Sequence, residues 1–296
     1  MQDRYAGDIG DFGKLALLKA LAREGLSIGV NWYKTAPAEK EALNADGKFL
    51  IPERFAVCDP ELAGKLNSIS SSERRSIAAL ENANILPDAF YYSTQMAVEN
   101  RREWHQEALN KLSNVDLVFL DPDNGLLVKS VGRKSAKSIK YVFPEEIFDY
   151  LNKNQSILLY QHRCRKKPAL YFDERLQSLK AAARGKAWSI QAIAFPKGSI
   201  RDYFAISVNP DHDAKIRNAF ESLAYGIWGD QGFCRLQPLP YVQCPSCGRD
   251  RLKPIVYGMP SAAALELEQN GHIVLGGCCI EEHSPNWQCS SCSCKF

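Results

Sequence analysis

The sequence predicts an α/β domain built on a seven-stranded, mostly parallel sheet with a closing β-hairpin, followed by a small cysteine-rich module. Three observations predict it. Apolar runs of strand length alternate with segments of helical period along residues 1–228. The last two apolar runs of that region are joined by PKGSIR, a hairpin-length turn. Seven of the ten cysteines fall between Cys244 and Cys294.

The elements follow in order. Residues 11–24, DFGKLALLKALARE, place Phe12, Leu15, Leu18, Leu21 and Ala22 on one helical face, with Asp8 or Asp11 as N-cap and Gly25 as the stop. Residues 26–33 read as a strand and 36–52 as a polar loop. A short strand is expected at 55–58, ending at Asp59-Pro60, then helices at 61–69 and 71–83. A strand at 89–93, a helix at 98–112 and a strand at 115–120 come next, making the last of these the fourth strand. A basic loop, 133–140, precedes a helix at 144–152 that begins with proline. The remainder reads as a strand (156–162), a helix (168–184), the hairpin (188–195 and 202–208) and a helix (211–223). The Gly/Pro-rich stretch 226–240 reads as a linker to a second domain, 240–296.

Composition narrows the class. Apolar residues make up 45% and charged residues 24%, ordinary values for a globular chain of 296 residues. The net charge of +3 is too small to require a nucleic-acid partner by itself. No stretch has the length of a membrane span, and the opening residues carry no signal-peptide core, so a cytoplasmic location is expected. In that compartment dense disulfides are disfavoured, and the cysteine-rich tail reads as a metal site. Cys58, Cys164 and Cys234 read as core thiols.

The stretch VDLVFLDPDNG, 115–125, delivers Asp121, Asp123 and Asn124 to a turn straight after an apolar strand. These are turn-forming residues, and Asn-Gly supplies positive φ. Yet ligands of open α/β sheets sit at the carboxyl ends of the strands, where this turn lies. Asp121, Asp123 and Asn124 are therefore candidate catalytic residues, and Asp8 and Asp11 a second acidic cluster that could converge on them. Lys14, one turn after Asp11, pairs with it or joins the site, and Gly7 and Gly10 permit close ligand approach. Asp59 is either the N-cap of the next helix or the acid that takes ribose hydroxyls. His162, at the end of its strand, is a candidate acid/base. Arg133, Lys134, Lys137 and Lys140, with Arg163, Arg165, Lys166, Lys167 and Arg201, would form a phosphate-facing rim, or an ordinary solvated surface.

Cys244-Pro-Ser-Cys247 and Cys289-Ser-Ser-Cys292 are two CxxC knuckles. Each sets two thiolates on one tight turn, and two such turns complete a tetrahedral zinc site. Cys278, Cys279, His283 and Cys294 are spare ligands. A structural zinc ribbon is expected, able to bind a protein or nucleic-acid partner.

AGDIGDFGK (6–14), LVFLDP (117–122) and FPKGSIRDYFAISVNP (195–210) resemble, in order and rough spacing, three motifs of the large-subunit ribosomal RNA adenine-N6 methyltransferases of the RlmJ type. The resemblance covers residues 1 to about 225. It implies a class I methyltransferase-like, Rossmann-type fold and S-adenosylmethionine as cofactor. It also implies site roles for Gly7, Asp8, Asp11 and Lys14, a cofactor turn at Asn31, and Asp121-Pro122 as the holder of a substrate amine. Two departures matter. The turn after the first strand, NWYKT, lacks the family's glycines, and Asp123-Asn124 replace the family's Pro-Tyr, removing a base-stacking platform worth about 1–3 kcal/mol. Three functions are therefore expected, in this order: a nucleic-acid methyltransferase, a Mg²⁺-dependent nuclease or phosphoesterase using the four aspartates, and a non-enzymatic binding scaffold.

Overall fold

LVFL at 117–120 is apolar at every position and buried at every position. A strand covered on both faces reads this way, and it lies inside a seven-stranded sheet. The computed structural model describes residues 1–36, 50–73, 75–237, 244, 246–247, 252–260, 265, 268–269, 271, 273–279, 284–285 and 287–296. The expected loop at 36–52 thus falls mostly outside the described residues. The chain divides into two units, Met1–Leu239 and Pro240–Phe296.

The first unit begins with α1 (Ile9–Arg23), β1 (Ile28–Asn31), α2 (Glu53–Ala56), α3 (Pro60–Ser70) and α4 (Ile77–Asn82). It continues with β2 (Phe90–Tyr92), α5 (Arg101–Lys111), β3 (Leu117–Leu120), β4 (Gly125–Leu126), β5 (Tyr141–Val142) and α6 (Pro144–Asn152). It ends with β6 (Ser156–His162), α7 (Pro168–Ala183), β7 (Ser189–Phe195), β8 (Arg201–Ser207), α8 (Pro210–Ala224), α9 (Ile227–Asp230) and β9 (Arg235–Leu236).

Seven of these strands form one mixed sheet in the order β2-β1-β3-β6-β8-β7-β9. β2, β1, β3 and β6 run parallel. β8 enters antiparallel between β6 and β7 and closes the expected hairpin. β4 and β5 pair separately in parallel. α1 is buried along nearly its whole length, with Phe12, Leu15, Leu18 and Leu21 in the core and Ala22 exposed.

Several expectations are corrected. Residues 55–58 are not a strand: they lie in and after α2, where a single helical turn buries Phe55 and leaves Val57 exposed. The seventh strand comes instead from the stretch expected to be linker. There Trp228 and Phe233 pack on Phe12, with ring centroids 4.6 Å and 5.5 Å away, and bring Arg235-Leu236 onto the edge of β7. In consequence Asp121 follows the third strand of the chain and not the fourth. Among the three scattered cysteines only Cys234 is buried; Cys164 is exposed and Cys58 is intermediate. The helix expected at 71–83 is also shorter, starting only where Ser76 caps α4.

The end of β6 is anchored from below. Asp202 is fully buried and takes the Arg163 Nε at 2.8 Å, a second Arg163 nitrogen, and the Tyr171 hydroxyl at 2.8 Å. Every lone pair used this way offsets the cost of burying the charge.

In the second unit β10 (Leu252–Val256) lies between β11 (Val274–Leu275), parallel, and β12 (Trp287–Cys289), antiparallel. The buried apolar residues described there are Cys244, Ile255, Ile273 and Cys289. A core of that size does not hold a domain without a cross-link or a metal.

Asp202→Ala strands the Arg163 charge inside the protein. It should cost about 3–5 kcal/mol, read as a lower urea midpoint, whereas Tyr171→Phe should cost about 1 kcal/mol.

Candidate functional site

The first turn of α1 builds one wall of a cleft. Asp8 is the N-cap: its Oδ1 accepts from the Gly10 N–H at 2.7 Å and the Asp11 N–H at 3.0 Å. Asp11 turns back to accept the Gly7 N–H at 2.8 Å. Lys14, one turn on, is buried and donates to Asp11 Oδ1 and Asp121 Oδ2, both at 2.7 Å. The helical i,i+3 spacing thus aims Asp11 and Lys14 together at the end of β3. Gly10 matters for a neighbour: a Cβ there would stand 2.8 Å from Arg201 Nε, so glycine lets the guanidinium lie on the helix start.

The Asp-Pro-Asp-Asn-Gly turn builds the opposite wall. The Asn124 N–H donates to the Lys140 carbonyl at 2.9 Å. Gly125 has φ +106, and the Gln161 amide fills the space beside it so closely that no Cβ fits. Gln161 staples the turn to β6: its Oε1 accepts the Leu126 N–H at 3.0 Å, and its Nε2 donates to the Asn124 carbonyl at 2.8 Å and the His162 carbonyl at 3.0 Å. Asp123 lies 3.0 Å from the Met1 amino group.

The cleft has a volume of about 380 Å³. It gathers Asp8, Asp11, Lys14, Asp121, Asp123, Asn124 and His162 from three distant segments, with Tyr5, Gly10, Lys140, Tyr160, Ser199 and Arg201 around them. Sequence reasoning missed Tyr5, Tyr160, Ser199 and Gln161. The only written sign of Gln161 is Gly125, whose positive φ needs a neighbour to fill the empty side.

The charges are strongly coupled. Burial, reinforced by Asp11, pushes the Asp8 carboxyl up to about 6 against the pull of Arg201. Burial also raises Asp121, and Lys14 opposes it. Lys14 itself is held well above its usual range: burial works against its charge, and Asp11 and Asp121 overcome it. Partial burial and then Arg201 lower His162, which is neutral at pH 7.

Other expected residues lie elsewhere. Gly7 does not line the cleft; its φ of +80 and the Leu66 carbonyl, 2.7 Å from where a Cβ would sit, make it a packing glycine. Asn31 turns inward, donating to the Tyr150 hydroxyl at 3.2 Å and accepting the Tyr33 N–H at 3.3 Å. Trp32 and Tyr33 after it are fully buried and close the turn after β1. Asp59 caps α3 and pairs with Lys19 at 2.5 Å. β2, the neighbour of β1, is followed by Ser93-Thr94 and not by an acid. The residues present after β1 and β2 therefore do not fit the S-adenosylmethionine contacts that the resemblance implies. Three of the nine basic rim residues pair with acids, Arg133 with Glu145, Lys166 with Glu174 and Arg163 with Asp202, and two others, Lys140 and Arg201, reach the cleft.

Nor do the aspartates form a ready Mg²⁺ site. Among the described residues, the one group of three or more potential ligands within metal-binding reach is Cys244, Cys247, Cys289 and Cys292. In the cleft the Lys14 ammonium stands between Asp11 and Asp121 and supplies the positive charge there.

In the cysteine group all four Sγ atoms lie within 4.8 Å of one another. Cys244 and Cys292 are 3.3 Å apart, and Cys247 and Cys289 are 3.6 Å apart. Thiolates around a tetrahedral zinc stand about 3.8 Å from each other, so this group could hold a metal such as zinc. Desolvation opposes ionisation of Cys289, but the Ser291 and Cys292 N–H groups draw its thiol down to about 6. Cys278, Cys279 and Cys294 stand outside the group, and His283 lies outside the described residues.

The expected metal content is about one zinc per chain, measured by elemental analysis. Cys289→Ser should lose that zinc, and the β10–β12 amides should then exchange freely with solvent.

No family model matches the chain, and no curated protein matches it. Among solved structures, the chain is similar to a protein of Legionella pneumophila str. Philadelphia 1 described as family DUF519. The identity is 11% and the TM-score 0.42, and the match covers 78% of this chain and 97% of that one.

Proposed function

We propose that the first unit is an enzyme of phosphate-ester chemistry, a phosphoesterase or nuclease acting on nucleotides or nucleic acid, with the Asp8–Lys14–Asp121 cleft as its active site. The observation that carries this reading is the seating of the Arg201 guanidinium on Gly10, beside an Asp8 carboxyl that titrates near 6. A general base works best when its pKa lies near the working pH, and a guanidinium is the natural partner of a phosphoryl oxygen. In its carboxylate form Asp8 accepts the proton of the attacking water. Arg201 takes the charge that gathers on the phosphoryl oxygens, and Lys14 keeps Asp121 and Asp11 from repelling the substrate. The leaving oxygen takes its proton from water, and the neutral His162 ring N–H would donate a hydrogen bond to it. No step is assigned to S-adenosylmethionine or to Mg²⁺.

A second reading, S-adenosylmethionine-dependent methyl transfer to nucleic acid on a class I methyltransferase-type sheet, is favoured by one observation. Asp121-Pro122 ends the strand beside β1, and an antiparallel strand, β8, is inserted near the far edge of the sheet. In either reading the cysteine unit is a zinc-ribbon-like module with a structural metal and a surface for a protein or nucleic-acid partner. Among the described residues no helix is long and apolar enough to cross a membrane.

Asp8→Asn keeps a good helix cap but removes the base. Turnover of phosphomono- and phosphodiester substrates should fall about 10²–10⁴-fold, and the rise in wild-type activity through pH 6 should disappear. Stability supplies a second readout. A carboxyl raised on folding favours the folded state at low pH, and that contribution is lost as the pH rises from about 4 in the unfolded chain through about 6 in the folded one. The wild-type melting temperature should therefore fall over that window relative to Asp8→Asn. Absence of any phosphate-ester turnover, together with calorimetric binding of S-adenosylmethionine, would reverse the order of the two readings.

A further inference from the structure

A second cavity, of about 330 Å³, opens at the other end of the sheet. Leu26 and Ile28 reach it from the start of β1, and Ile85 and Leu86 from the segment that leads into β2. The cleft lies where β3 and β6 end, and both strands run parallel with β1, so the two openings sit at opposite ends of the strands. All four apolar residues belong to the core around α1. An apolar floor with a few polar groups at the mouth is the make-up of a small-molecule site, and the volume lies at the lower end of the usual range of about 300–1,000 Å³.

The mouth carries one uncommitted charge of each sign. The charged residues there are Lys19 and Arg23 on α1 and Asp88 on the segment before β2. Lys19 is spent on Asp59, 2.5 Å away. Arg23 and Asp88 are exposed, and among the described residues neither makes a hydrogen bond or an ion pair, with each other or with a third group. This combination suits a molecule with an apolar body and both a positive and a negative group at one end. A fatty acid has only the negative group, and would set it against Asp88 and the negative pole at the carboxyl end of α1. An ammonium is favoured by both. A charged side chain would enter a floor that offers it no partner.

We propose that this cavity binds a free amino acid with an apolar side chain, of the leucine kind. The ligand carboxylate takes the Arg23 guanidinium, the ligand ammonium takes Asp88, and the side chain lies against Leu26, Ile28, Ile85 and Leu86. The site does not rest on the phosphate-ester reading, and either can stand without the other.

The test is calorimetric titration of L-leucine into the full chain with its metal retained. Leucine should bind at millimolar concentration. Glycine lacks the side chain, N-acetyl-leucine the ammonium and leucinamide the carboxylate, and each should bind at least about tenfold more weakly, the loss expected for one strong contact. Arg23→Gln and Asp88→Asn should each weaken leucine binding by a similar factor. Their melting temperatures should stay at the wild-type value, because both side chains are exposed. Arg201→Gln, in the cleft, should leave leucine binding unchanged. Any of four results would overturn the proposal: no leucine binding at millimolar concentration, equal binding of one of the three analogues, undiminished affinity in Arg23→Gln or Asp88→Asn, or a loss in Arg201→Gln, which would put the amino acid in the cleft.

Discussion

The buried ammonium of Lys14 is the interaction on which the rest of the first unit depends. It joins a helix that precedes the sheet to the end of β3, more than a hundred positions later in the chain, by two bonds of 2.7 Å. Neither carboxylate could be buried so deeply alone, since an unpaired charge in the interior costs several kcal/mol, on the order of 3–5 when a partner is removed. With Lys14 between them, both can stand at the carboxyl end of the sheet without water. The same bond fixes the rotation of α1, and with it the positions of Asp8 and Gly10.

From that constraint the site's electrostatics follow. Lys14 is committed to Asp11 and Asp121, so the proton at Asp8 is the one that moves near neutral pH. Arg201 can lie beside Asp8 only because residue 10 has no side chain. The cap that starts α1 and the acid that titrates are one residue, so the conformation of the first turn and the protonation of the cleft are linked.

Much of this was legible in the sequence, and the limits are physical. A cap followed by charges at i,i+3, and an apolar run broken by Asp-Pro-Asp-Asn-Gly, are local patterns. They announced Asp8, Asp11, Lys14 and Asp121 as neighbours of a strand end. β9 was not legible, because two residues carry no period; its place is decided by Trp228 and Phe233 packing on Phe12. Phe55 misled because one apolar residue in a helical turn looks like one in a strand. Asn31 was implied by the resemblance and Asp59 by where nucleotide-binding sheets put an acid, but here Trp32 and Tyr33 close the turn and Lys19 takes the acid. Gln161 carried no local sign of its role beyond Gly125; only three dimensions reveal what its amide meets. The knuckles at 244–247 and 289–292 were the clearest local signal, since a metal needs its ligands in pairs on tight turns.

The exposed pairs Arg133–Glu145 and Lys166–Glu174 and the buried pairs Lys14–Asp121 and Arg163–Asp202 differ in one further respect. Ionic strength reaches the first set and not the second, because mobile ions screen only what water surrounds. Added salt would therefore loosen the exposed Arg133–Glu145 and Lys166–Glu174 pairs and leave the buried pairs of the first unit set.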